Sequence, residues 1–367
     1  FVFSTIVAYR GAEEAVKKLK PELAFLLNGL FFPERALRVV LERENIPYTT
    51  YERGRRRDTL IFSKGEAVVD HNLNAAWKDA AKIALTSAEE SRLDQYLGVR
   101  ETGKDFIDNF WPEVVKEEKA LVDALGLDLA KPVFSLFTNL TWDTAVFGKN
   151  KAFSSMKDWI AQAIRVFSAR PDLQLVIRVH PAEVRIEKQA TRERIADFIR
   201  GTFPKLPANI KIVNSDSPLS SYTLANLSKA ILVYTTTLGM ELPARTGIAS
   251  IVSGIVHYSG KGFTFDVEIA VDLEKHVAAL ASEEPGAKAR QARRELARRY
   301  LNLFYFKYHY DFSPVLTETG KNRFKLALAD TRTLEPSSNE DLDEVVLSSL
   351  DPAVKGSLAH FPRQRRT

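Results

Sequence analysis

The chain contains no cysteine, which removes a disulfide framework, a thiolate metal site and a thiol nucleophile together. It also has no apolar run of the roughly 18 residues that a membrane helix needs. Its opening residues, Phe1 to Ala8, lack both the basic start and the length of a signal peptide. These absences predict a cytoplasmic protein, with any membrane contact peripheral, at the inner face. A basic stripe interleaved with aromatics, the footprint of a nucleic-acid reader, is missing too, so no nucleic-acid partner is expected. No internal repeat has a fixed period. The chain opens at Phe1, inside an apolar segment, and the expectation is that the natural protein continues upstream, leaving the first domain incomplete here.

What is present describes an ordinary globular protein. The 367 residues exceed what one core usually serves, and 45% hydrophobic with 27% charged residues permits a sizeable interior. A net charge of +5 suits anionic ligands without choosing among them. Leu23 to Leu27 is an apolar run ending in Asn28-Gly29. Pro33 to Glu44 then reads as a helix with Ala36, Leu37, Val40 and Leu41 on one face, and Pro47 to Tyr51 as a strand. That rhythm belongs to a parallel α/β sheet. The loops at Asn28-Gly29 and Glu52-Arg53-Gly54 would lie at its carboxyl edge, where open α/β folds bind ligands.

Residues 70 to 129 read as a helical connection, punctuated by Trp111-Pro112. A second alternation follows: strands at 132–137, 173–179, 210–213, 230–234 and 250–253, with a helix at 156–169. The domains expected are therefore 1–130, a Rossmann-like acceptor domain with its helical connection; 131–282, a Rossmann-like nucleotide-sugar domain; 283–330, helices packing back through Leu301, Phe304 and Tyr305; and 331–367, a mostly disordered tail.

Two strand ends carry the chemistry. His180 ends the clearest strand and is held extended by Pro181. There it either donates to a phosphate or serves as a general acid, or it satisfies a loop carbonyl. Thr235-Thr236-Thr237 with Gly239 lies between a strand and a helix start, a favourable place for phosphate but also an ordinary helix cap. Ser217 or Ser220 fits a helix cap, with a nucleoside contact as the other reading, and Lys261 in a Gly-rich loop fits a phosphate counter-charge. That loop is not a Walker motif, because the terminal Lys-Ser/Thr pair is absent. The site segments hold no Cys/His cluster and no Asp-x-Asp pair, so a metal-independent reaction is expected.

Asn28-Gly29 with Pro33-Glu34-Arg35, Tyr51-Glu52-Arg53-Gly54, Arg178-Val179-His180-Pro181, Ser217 to Tyr222 and Thr235 to Glu241, in that order, resemble the capsule polysaccharide biosynthesis glycosyltransferases, including bacterial Kdo transferases. The likeness spans roughly residues 20 to 265. It implies an α/β fold of two Rossmann-like domains facing a cleft, the GT-B arrangement. It further implies a nucleotide-sugar donor such as CMP-Kdo, bound as substrate with no separate cofactor, and a saccharide or lipid-linked acceptor. By the resemblance, Arg178, His180, Ser220, Ser221, Thr235, Thr236, Thr237, Gly239 and Lys261 surround the donor. Glu52 matches the first acid of an acidic-acidic-glycine motif and would be the base, with His180 at the departing phosphate. The second acid is replaced by Arg53, and Glu52 could instead pair with an arginine of its own loop. Two other functions stay open: a non-hydrolysing nucleotide-sugar epimerase, and a non-catalytic nucleotide-sugar-binding subunit of a polysaccharide assembly complex.

Overall fold

In a computed structural model of the protein the described residues are 2–101, 115–143, 146, 148–185, 191–282, 286–320, 323–328, 330–359. Trp111-Pro112 and the basic end of the chain lie outside them. The fold is α/β and divides into two compact units, one of residues 1–83 with 302–367, the other of residues 84–301.

The first unit begins with helix α1 (Val2–Leu19), which the sequence reading missed, then β1 (Ala24–Leu27), α2 (Phe32–Arg43), β2 (Tyr48–Arg53), β3 (Thr59–Lys64) and α3 (Asn74–Ala80). Helix α2 buries Ala36, Val40 and Leu41, the stripe its periodicity predicts. Strand β1 pairs parallel with β2, Leu27 opposite Tyr51, whereas β3 returns antiparallel. The sheet is therefore mixed, since a five-residue turn from β2 permits a hairpin but not a parallel crossover. Glu52 stands inside β2, not in the loop beyond it.

The second unit holds α4 (Ser87–Glu101), α5 (Glu118–Leu125), β4 (Val133–Phe137), α6 (Met156–Ser168), β5 (Gln174–Arg178), α7 (Ala182–Arg185), α8 (Ile195–Thr202), β6 (Ile210–Val213), α9 (Ser221–Asn226), β7 (Ala230–Val233), α10 (Leu238–Thr246), β8 (Ala249–Val252), β9 (Phe265–Asp266), α11 (Ala270–Ser282) and α12 (Ala287–Asn302). Its sheet has the order β6-β5-β4-β7-β8-β9 and is parallel throughout. Strands β4, β5, β7 and β8 are buried along their whole length, as a parallel sheet covered on both faces requires. Helix α6 starts at a Ser155 cap, whose Oγ accepts the Asp158 amide at 3.1 Å. It lays Trp159, Ile160, Ala163, Ile164 and Phe167 into the core.

The chain then returns to the first unit. A π-helical turn (Leu303–Lys307) leads to β10 (Tyr310–Asp311), the hairpin β11 (Leu316–Gly320) and β12 (Arg323–Leu326), α13 (Glu340–Leu350) and β13 (Gly356–Ser357). Both β10 and β13 pair antiparallel with β3, so the expected disordered tail is ordered over residues 331–359, and 360–367 lie outside the described residues. Val345 and Leu358 join Phe62 and Tyr310 in a core cluster, and the Lys64 ammonium donates to the Asp351 carbonyl at 2.5 Å beyond the end of α13. Polar composition hid these few apolar anchors. The boundaries also differ from those expected: the second unit starts at 84, because α4 and α5 belong with its sheet rather than with a connection.

Candidate functional site

In the second unit the chain lays down β4, β5 and β6 outward in one direction, then returns to place β7 on the other side of β4. This reversal is a topological switch point, and in open α/β sheets the crevice beyond the strand ends there is where ligands bind. The loops after β4, β5, β7 and β8 all leave from this edge. Asn139, after β4, accepts the Thr235 amide through Oδ1 at 3.3 Å. Thr138 accepts the His180 amide through Oγ1 at 3.0 Å. The residues after β4, which the sequence reading passed over, thus tie the loops of His180 and of the threonines to one strand end.

Thr235, Thr236 and Thr237 lead into α10. Thr237 is its N-cap, without a side-chain cap hydrogen bond, so α10 presents its first turn to the strand edge with its positive dipole end. The Thr235 hydroxyl is buried with no hydrogen-bond partner among the described residues. Leaving such a group unsatisfied costs on the order of 1–3 kcal/mol. The Thr236 hydroxyl accepts the Leu238 amide weakly, at 3.5 Å. A Cβ at Gly239 would lie 2.4 Å from the Tyr258 hydroxyl and 2.8 Å from Val233, and that hydroxyl donates to the Thr236 carbonyl at 2.6 Å. The missing side chain makes room for a buried phenol that braces the threonine loop.

His180 is neutral at ordinary pH. The protein packed around its imidazole pushes its pKa down to about 4; Asp143 opposes the shift, and Arg178 adds to it. Its Nδ1 accepts the Ala182 amide at 3.1 Å, which assigns the proton to Nε2. The side chain is therefore built as an uncharged N–H donor.

Arg178 holds the scaffold through two of its nitrogens, while its Nε is buried without a hydrogen-bond partner among the described residues. Its guanidinium is buried and donates to the carbonyls of Asn214 at 2.6 Å and Ser217 at 3.0 Å, holding the loop after β6. Ser220 caps α9, its Oγ accepting the Thr223 amide at 3.1 Å, while Ser221 is the first residue of that helix. Ser220 thus serves the helix start. Lys261 is buried, with its pKa lowered by burial against the opposing pull of Asp266.

Glu52 belongs to the first unit. Its Oε2 accepts from the Asn28 amide at 3.1 Å, and its Oε1 accepts the Arg53 backbone N–H at 2.9 Å. Asn28 is buried, with φ +27, and accepts the Leu30 amide at 2.8 Å, so the turn after β1 fixes the carboxylate at the end of β2. Arg53 turns elsewhere: its guanidinium pairs with Glu318 of β11, which is fully buried. The substituted acidic position therefore neutralises a carboxylate brought in by the returning chain. Gly54 beside it packs where a Cβ would fall 2.2 Å from Thr59 Oγ1 and 2.7 Å from the His309 ring.

No protein-family model matches the chain, and no curated protein sequence matches it. Solved structures similar to it include the S. aureus MnaA–UDP co-structure, at 12% identity over 81% of this chain and 76% of that one, TM-score 0.35. Methanocaldococcus jannaschii UDP-GlcNAc 2-epimerase in complex with UDP-GlcNAc and UDP is 13% identical over 81% and 79%, TM-score 0.37. CalG4, the calicheamicin glycosyltransferase, is 16% identical over 82% and 74%, TM-score 0.33. Likeness this distant transfers no residue roles. The class is set by the chain's own topology: an α/β protein whose second unit is a doubly wound domain around a parallel sheet.

Proposed function

We propose that the second unit binds the phosphate of a nucleotide-activated sugar at the β4/β7 switch point, and that the protein is a metal-independent glycosyltransferase of surface polysaccharide synthesis. The observation that carries the binding site is the unpartnered Thr235 hydroxyl, set between the Asn139 contact and the first turn of α10. A phosphate oxygen would satisfy it and meet the helix dipole at once. His180, as a neutral Nε2–H donor, would stabilise charge developing on the departing phosphate. Glu52 would take the acceptor proton.

Nucleotide binding is testable without knowing the acceptor. Thr235→Val keeps volume and removes a hydroxyl that has no partner among the described residues, so the variant should be as stable as the parent or slightly more so. Its affinity for the nucleotide that raises the parent's melting temperature in a screen of CMP, UDP and GDP should fall about tenfold, the loss of one good hydrogen bond. Adding Thr236→Val and Thr237→Val should lower it further. Unchanged affinity in the folded variants would sink the site. Conversion of the donor sugar with no acceptor present would assign the same site to an epimerase. Turnover lost on chelation and restored by magnesium would overturn the metal-independent reading.

A further inference from the structure

Where β2 begins and β3 ends, at the edge of the first unit's sheet away from Glu52, there is a cavity of about 730 Å³. The end of α2 and the residues after it supply Leu41 and Ile46 to its lining, and the end of β3 supplies Lys64. The segment that follows α13 forms another wall with Leu350, Val354 and Lys355. Mostly apolar cavities of this size, with a few placed polar groups, are the usual form of small-molecule sites.

Lys64 is 7% exposed. Its ammonium donates to the carbonyls of Asp351 at 2.5 Å and Ser348 at 3.5 Å, at the end of α13. An ammonium carries three N–H donors, so one is unspent, and no ion pair among the described residues includes Lys64. Burial lowers its pKa, against the pull of Asp351. Lys355 is exposed on the same lining and also has no ion pair among the described residues. The acids of the cavity are answered within the protein. Glu42 accepts the Tyr48 hydroxyl at 2.6 Å and Arg38 at 3.4 Å. Glu66 accepts the Ser63 hydroxyl at 3.1 Å and the Asn72 side-chain amide at 3.3 Å. The two ammonium groups are left without a counter-charge.

A buried cation without a carboxylate is costly, and a ligand that brings one gains a charge-assisted hydrogen bond. A phosphate fits less well, because no arginine lines the cavity among the described residues and Glu66 repels a dianion. Leu350, 63% exposed, offers apolar surface for the rest of such a ligand to cover.

We infer that this cavity binds a monocarboxylate carried on an apolar body of the size of a medium-chain fatty acid, its head on Lys64 and its body against Leu350 and Val354. The occupant would fasten the returning chain to β3. The site goes beyond the nucleotide-site reading and stands without it.

The probe is octanoate, with acetate and 1-octanol as controls for body and charge, followed by calorimetry and melting temperature on the intact chain. Octanoate should bind and raise the melting temperature. Acetate and octanol should each bind at least roughly tenfold more weakly, having lost the apolar body or the charge-assisted bond. Leu350→Ser and Lys355→Gln alter exposed side chains, so both should keep the parent's melting temperature while weakening octanoate about twofold to fivefold. Lys64→Gln should abolish binding. Because that change also loosens the end of α13, trace acetylation of the unaltered chain supplies a second measure: octanoate should slow acetylation of Lys64 and leave exposed Lys205 unchanged. Nucleotide affinity should be the same in all three variants, so this site and the nucleotide site fail separately. No binding of octanoate, equal affinity for octanol, binding untouched by all three variants, or equal slowing at Lys64 and Lys205 overturns the inference.

Discussion

The Glu52 carboxylate receives one hydrogen bond from the Asn28 side chain and one from its neighbour's backbone, while the Arg53 guanidinium pairs with Glu318. A carboxylate fixed in this way retains lone pairs for a further proton or hydroxyl. Glu52→Gln should therefore leave nucleotide affinity and melting temperature nearly unchanged while lowering turnover by about a hundredfold to ten-thousandfold, the usual contribution of a general base. A variant with full turnover would remove the assignment; parallel losses of stability and turnover would make Glu52 a brace for the turn after β1. The placement of Glu52, His180 and Thr235 at strand ends was legible in the sequence, because the strands themselves are clear. Asn139 and Tyr258 were not legible, since what matters in them is a partner 96 and 22 residues away. The scaffold role of Arg178 was not legible either, because it emerges only from the carbonyls it serves.

Elements buried on both faces were the easiest to read. Strands β4 to β8 appear as apolar runs between turn signals, and each was found to within two residues. Short strands made by the returning chain were missed. β10 and β13 are two residues each, and no local pattern distinguishes them from loop. Helix α1 was hidden by an opening of exposed Val2, Phe3, Ile6 and Val7 that gives no clean stripe. The junction of β7 with α10 offers a test of the packing argument. Gly239→Ala puts a methyl against the Tyr258 hydroxyl and Val233, both buried, so it should destabilise the protein by roughly 1–3 kcal/mol, as overpacking does. Pairing it with Tyr258→Phe removes the nearest atom and should recover part of that loss in urea denaturation. No recovery would mean that the strain arises elsewhere.

Across the whole molecule, stability should depend on acid through two histidines. Burial pushes His309 down to about 3 and His180 to about 4, against about 6.5 in an unfolded chain. The unfolded state thus binds protons first as pH falls. The stabilisation is fully present above about pH 6.5 and is lost progressively toward the two folded values, at about 1.4 kcal/mol per pH unit for each histidine. His309 Nδ1 donates to the Phe304 carbonyl at 2.6 Å. His309→Asn can keep that bond without titrating, and should flatten the dependence between pH 6.5 and 5 by one histidine's share. An unchanged slope in urea titrations at several pH values would exclude His309 as a source.

The first unit is assembled from both ends of the chain, residues 1–83 and 302–367, around a continuous second unit. During synthesis the second unit can fold once residue 301 has cleared the ribosome. Strand β3 must wait for β10 and then β13, the latter almost 300 residues later, with the Phe62 face uncovered meanwhile. Nascent chains stalled far enough beyond residue 301 for it to have left the exit tunnel should accordingly show a protease-resistant fragment from the later part, while the first 83 residues remain open to cleavage and to chaperones.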